Sequence, residues 1–140
     1  NMCAEMIFSA VFERHPNLIV LFGECRIGWV PFFIQWMDRQ VVERKPDTAV
    51  PISLWPREYV ARQIRFAFEE DYIGTQMIGH DWSHLRECAV WGSDYPHDQG
   101  TWPDVSPPID KMFEGVDPAI RRAVLFDHTA QLFHIKGPEG

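Results

Sequence analysis

Cys88-Ala89-Val90-Trp91-Gly92-Ser93-Asp94-Tyr95-Pro96-His97 is the stretch whose reading decides the fold. Its apolar start predicts a short buried strand, Gly92 and Ser93 predict a turn, and Pro96 fixes the backbone just after Asp94. A carboxylate and an imidazole therefore stand at the exit of a strand. In barrel enzymes that is where a metal is held or water is activated.

Working outward, the chain alternates helices and strands. Cys3, Met6, Ile7, Ala10 and Val11 recur at helical spacing, and Pro16-Asn17 closes that helix. Leu18 to Phe22 then form a continuous apolar run, expected to be a strand covered on both faces. A turn with Glu24 leads to a second helix, with Pro31 in its first turn and Phe33, Met37 and Val41 on one face. Pro46, Pro51 and Pro56 predict a long irregular connection, after which Ile64, Phe66 and Phe68 alternate as a strand ending in Glu69-Glu70-Asp71. A short helix over 72–78 precedes the Cys88 strand, and Pro107-Pro108 and Asp117-Pro118 open two closing helices. Such alternation calls for a parallel sheet with right-handed crossovers, and each strand ends in an acidic turn, so the chemistry should collect at one rim. A closed (β/α)8 barrel takes roughly 250 residues. The 140 residues, read as one partial domain over 1–140, make about half of one.

Composition narrows the function classes. With 46% apolar residues and 14% aromatics the chain can bury a core, and no run of Lys or Arg exceeds a pair such as Arg121-Arg122 in a chain of net charge −7. No nucleic-acid partner is expected. The apolar runs are far shorter than the roughly 20 residues of a membrane helix, so no membrane association is expected. Cys3, Cys25 and Cys88, an odd set without a CxxC pair, fit reduced thiols and a cytoplasmic location.

Phe12-Glu13-Arg14-His15-Pro16-Asn17-Leu18, Phe22-Gly23-Glu24 with Ile27-Gly28-Trp29-Val30-Pro31, and Trp91 to His97 together resemble the C-terminal half of the amidohydrolase-related (amidohydrolase 2) proteins. That group includes the aminocarboxymuconate-semialdehyde decarboxylase-like enzymes. The resemblance spans Val11 to about Ile135. It implies a distorted (β/α)8 barrel whose strands six to eight lie here, and a divalent metal, zinc above all, at the strand ends. Asp94 matches the aspartate after the last strand and would bind or border the metal and handle a proton of its water. Its plainer role is to brace the turn.

Three departures stand out. Glu24 replaces a histidine that many relatives carry after the sixth strand, so the acid-base role would fall to a carboxylate, or Glu24 would simply pair with Arg26 or backbone. His128, in Phe126-Asp127-His128-Thr129-Ala130, replaces an expected asparagine at a helix start. No His-x-His occurs, so the remaining ligands would lie in a missing N-terminal half, and the fragment alone should be inactive because a catalytic zinc takes three protein ligands.

Other constellations weigh less. His80-Asp81-Trp82-Ser83-His84 mimics a zinc-protease pair, but falls on the side away from the strand ends and reads as a surface turn. Glu69 to Asp71 read as helix N-terminal acids, with Glu69 closest to the rim. His97 and Trp29 are candidate substrate-binding residues, while Trp91 belongs to packing. The resemblance thus implies a hydrolase acting on a small-molecule ester, amide or lactone through metal-activated water, with Asp94 and Glu24 catalytic. The alternatives are nonoxidative decarboxylation of an aromatic or muconate-like acid, and an inactive half-barrel assembly module. A half barrel exposes strand edges, so the missing half or a homodimer partner is expected.

Overall fold

The computed structural model describes residues 2–43, 51–98 and 100–137. Three strands, β1 (Val20–Phe22), β2 (Ile64–Phe68) and β3 (Ala89–Trp91), form one parallel sheet in the order β1-β2-β3. The register pairs Val20 with Ile64, Phe22 with Phe66, Phe66 with Ala89 and Phe68 with Trp91. Spatial order equals chain order, as in successive strands of a barrel wall.

Helices α1 (Met2–Phe8) and α2 (Val11–Arg14) precede β1. Between β1 and β2 come α3 (Val30–Glu43) and α4 (Pro56–Gln63). Between β2 and β3 come α5 (Tyr72–Ile78), a 3₁₀ turn at Asp81–Ser83 and α6 (Leu85–Cys88). After β3 run α7 (Ser106–Met112), α8 (Pro118–Arg122), a wide π turn over Ala123–Asp127, and α9 (His128–Leu132).

One core collects Ile7, Phe12, Ile34, Met37, Tyr59 and Met112 against the Ile64, Phe66 and Phe68 side chains of β2. Each large apolar side chain buried there contributes about 1.5–3 kcal/mol. The opposite face of the sheet carries the register partners Leu21 with Arg65 and Ala67 with Val90. The expectation of strands covered on both faces holds for Ala89 and Val90 of β3 and fails for β1, where Leu21 is 39% exposed. Among the described residues, Leu21 on that face of β1 is left partly uncovered.

Local chemistry explains the remaining differences. The predicted first helix breaks at Ala10, whose backbone is left-handed (φ 58°), and the break turns Phe12 rather than Val11 into the core. Helix α4 falls in what reads as irregular connection. Pro56 opens it, Glu58 reaches back to accept the Trp55 N–H at 2.7 Å, and Arg57 pairs with Asp38 of α3 at 2.7 Å. Pro46 lies outside the described residues. Glu13 accepts from Ser53 N (2.7 Å), Ser53 Oγ (2.6 Å) and the Tyr59 hydroxyl, which tethers the segment before α4, and these bonds, those from Ser53 first, pull its carboxyl down to about 2. The fully buried Gln63 donates to His15 O (3.0 Å) and Leu18 O (3.1 Å), fixing the chain as it enters β1. His128, which takes the place of an asparagine and puts the helix start in question, begins α9 without an N-terminal break. It lies inside the helical run from Pro118 to Leu132, just after the π turn, and its Nδ1 lies 2.8 Å from Ala89 O of β3. Among the described residues no helix is long and apolar enough to cross a membrane.

Candidate functional site

The turns leaving β1 and β3 are built on unusual backbone. Of the six non-glycine left-handed residues among those described, Glu24 (φ 51°), Arg26 (φ 55°) and Asp94 (φ 58°) occupy these two turns. Such a conformation costs a side-chain-bearing residue about 1–2 kcal/mol, and it persists where surrounding bonds enforce it. Strain is therefore concentrated at one rim of the sheet.

The enforcing bonds are visible. After β3, His97 N donates to Asp94 O (2.8 Å), Gly100 N to His97 O (3.0 Å) and Thr101 N to Ser93 O (3.0 Å), closing the loop at its neck. A Cβ on Gly100 would lie 2.6 Å from Ser93 O and 3.0 Å from both Asp94 O and His97 O, so only glycine fits. After β1, the backbone N–H groups of Ile27 and Gly28 both donate to Asp71 Oδ2 at 2.7 Å, while Asp71 Oδ1 accepts Gly74 N at 2.8 Å as the cap of α5. One carboxylate thus ties the Glu24 turn to the end of β2.

These loops bring Glu24, Asp94 and His97 together, with one potential ligand atom from each lying within 4.8 Å of the others. The Asp94 carboxylate is 16% exposed and its Oδ1 lies 2.9 Å from His97 Nδ1, while Glu24 Oε1 lies 3.8 Å from the same nitrogen. The hydrogen bond to Asp94, then the charges of Asp94 and Glu24, hold the His97 imidazole above its ordinary range. The set offers two oxygen ligands and one imidazole, a donor chemistry that suits a divalent cation such as zinc or manganese. Asp94 therefore has company within this chain, beyond the single carboxylate that the sequence suggests.

The other predicted residues take distinct places. Arg26 does not pair with Glu24: its Nη1 donates to Glu70 O (2.8 Å) and its Nη2 lies 3.7 Å from the Glu69 carboxylate. Glu69 is directed to the rim side of β2 in that pair. Trp29 donates from its indole to Cys25 O (2.7 Å) and packs on Phe33 and Phe66 while remaining partly exposed. Trp91 donates to Glu69 O (2.9 Å), bracing β3 against β2. The His80 to His84 segment forms a surface turn before β3, with His80 stacked on Trp82. None of the three cysteines is poised as a nucleophile, because burial pushes the Cys3 thiol up to about 12 and the Cys25 thiol up to about 11, and raises Cys88 as well. Sequence reasoning missed the reach of Asp71 across to Ile27 and Gly28. The paired glycines Gly28 and Gly74, both hard against its carboxylate, are the signal that betrays it.

No protein-family model matches the sequence, and no curated protein matches it. Solved structures do. The 5-carboxyvanillate decarboxylase LigW from Sphingomonas paucimobilis superposes on 95% of this chain and 38% of its own, with a TM-score of 0.67 and 20% identity. A dihydroxybenzoic acid decarboxylase from Polaromonas sp. JS666, with bound manganese and the inhibitor 2-nitroresorcinol, superposes on 95% of this chain and 39% of its own, with a TM-score of 0.64 and 15% identity. This chain therefore spans well under half the length of either. Its α/β fold, with consecutive parallel strands, is that of a part of their barrels.

Proposed function

We propose that this chain supplies part of the metal-site rim of a barrel enzyme that removes carbon dioxide from an aromatic or muconate-like carboxylic acid. The observation carrying this reading is the convergence of Glu24, Asp94 and His97 on strained turns at the C-terminal strand ends. Both superposable enzymes are decarboxylases, which supports the carboxy-lyase reading over hydrolysis. Asp94 and Glu24 would hold a divalent metal, zinc or manganese, which when bound supplies positive charge against the substrate's oxygens. Asp94 also orients the His97 ring, and His97 is placed to donate a hydrogen bond or a proton to a bound acid. Trp29 offers a partly exposed aromatic face beside the Glu24 turn for a planar ring. In the overall reaction the bond from ring carbon to carboxylate breaks, carbon dioxide leaves, and that carbon takes a proton.

The second reading, hydrolysis of a small ester, amide or lactone, uses the same rim with Glu24 or Asp94 accepting a proton from water. A third, an inactive assembly module, is favoured by the exposed apolar residues Leu18, Ile19 and Leu21 at and before β1, which further strands or a second copy would cover. We infer that further strands do so, given how much of each superposable enzyme lies outside the match.

The deciding experiment is an assay of the intact protein, loaded with manganese or zinc, on hydroxylated aromatic carboxylates. Release of carbon dioxide, lost together with stoichiometric metal in Asp94→Ala, is expected. A product carrying water-derived oxygen without carbon dioxide would replace the first reading by the second, and retention of metal and activity in Asp94→Ala would defeat the role given to Asp94.

A further inference from the structure

Helices α3 and α5 belong to the two successive crossovers on either side of β2, and a groove of about 360 Å³ lies between them. Phe32 and Gln35 of α3, Met77 of α5 and Trp82 of the turn after α5 contribute to its lining. Helix α3 buries Val30, Ile34 and Met37, which leaves Phe32, Gln35 and Trp36 on its outer face. In a barrel the crossover helices lie outside the sheet, and added strands bring their own helices in beside these rather than over them. Both walls of the groove are therefore supplied by this chain, and closing a barrel at the edges of β1 and β3 leaves its mouth open.

The mouth is aromatic and carries no unpaired charge. Phe32 is 73% exposed, Ile73 72%, Trp82 61% and Trp36 44%. Trp36 stands one helical turn beyond Phe32 and Ile73 one turn before Met77, so all four belong to one patch around the groove. Together they expose on the order of 500 Å² of apolar side chain, as much as the largest patch of an ordinary monomer. The charged groups on these elements are already paired: Arg39 with Glu43, Asp38 with Arg57, and Asp81 with Arg86. A chain of net charge −7 repels its own copies, and such a charge-free surface is where two of them can meet. Gln35 adds an amide, which both donates and accepts and so can pair with the same group across a two-fold axis. The patch of one copy laid on that of another buries about 1,000 Å² in total, the area at which a specific interface begins.

We propose that this outer groove is a two-fold dimer interface, in which Phe32 and Trp82 of one copy pack against the same patch of a second. The proposal stands apart from the reading of the rim, since neither residues nor readout are shared. Sedimentation velocity of the intact protein, from about 0.1 to 100 μM, should show two copies associating with micromolar affinity or tighter. Phe32→Glu and Trp82→Glu, on opposite walls of the groove, should each weaken that association about a hundredfold, because two copies of the new carboxylate meet in a patch stripped of water. Both side chains are exposed, and circular dichroism with the melting temperature of the dilute variants checks that each is folded. A monomer at every concentration up to about 100 μM would overturn the proposal and give the patch to another occupant. Undiminished association of the folded Phe32→Glu and Trp82→Glu variants would overturn it too, since the contact would then lie elsewhere.

Discussion

The two ends of the same three strands are built on opposite principles. At the C-terminal rim, left-handed Glu24, Arg26 and Asp94 are held by cross-loop bonds, and carboxylates gather around an imidazole. At the N-terminal end, Gln63 and His128 reach backbone carbonyls beside β1 and on β3, and cations gather around a hollow. The difference teaches where this molecule tolerates strain. Side chains at the lower end satisfy the backbone, whereas at the rim the backbone is bent to aim side chains, the division expected between the stabilising and reactive faces of a barrel.

The contrast is most severely tested by Gly74→Ala. A methyl group there would lie 2.4 Å from Ile27 Cγ1, 2.8 Å from Asp71 Oδ2 and 2.9 Å from Gly28 N, so it must push the Glu24 turn away from Asp71. Chemical denaturation should show a loss of about 3 kcal/mol. A loss below about 0.5 kcal/mol would mean that Asp71 does not tether the rim. At the other end, Gln63→Ala strips donors from two carbonyls at a fully buried position and should cost about 2 kcal/mol by the same measurement, with the rim unaffected. If that substitution also altered metal binding, the two ends would not be independent.

Glu24→Gly sharpens the comparison in the reverse direction. Removing the side chain from a left-handed position relieves strain but adds freedom to the unfolded chain, so a net stabilisation of about 0.5 kcal/mol is expected alongside loss of metal affinity. A destabilised variant would show that the turn is not strained. The smallest effect concerns pH. Because Asp94 and Glu24 raise the folded-state pKa of His97, its contribution to stability is fully present below the unfolded value near 6.5 and fades as pH rises through the raised folded value. An NMR titration should place the metal-free His97 transition above that of an unfolded histidine and move it down in Asp94→Asn. An unmoved transition would remove Asp94 as its partner.

Much of the framework was legible in the residues. The alternation of Ile64, Phe66 and Phe68 announces β2, the apolar run into Gly92-Ser93-Asp94 announces β3 and its turn, and the 72–78 helix appears as expected. Helix α4 was obscured by prolines that read as punctuation, although Pro56 followed by Glu58 is a helix-start signature. The approach of Glu24 to His97 was not legible, for a geometric reason. Their turns leave strands separated by β2, hence roughly 10 Å apart at the backbone, and only the left-handed bends and long side chains close the gap. Periodicity carries no information about such bends in residues other than glycine.

The bond pattern of Asp71 also has a kinetic consequence. Ile27 and Gly28 lie far from Gly74 in the chain, yet all three amides rest on one carboxylate. A single rotation of that side chain exposes all three to solvent together. Under native conditions their hydrogen exchange should follow one opening free energy, making the Glu24 turn and the start of α5 a single cooperative unit.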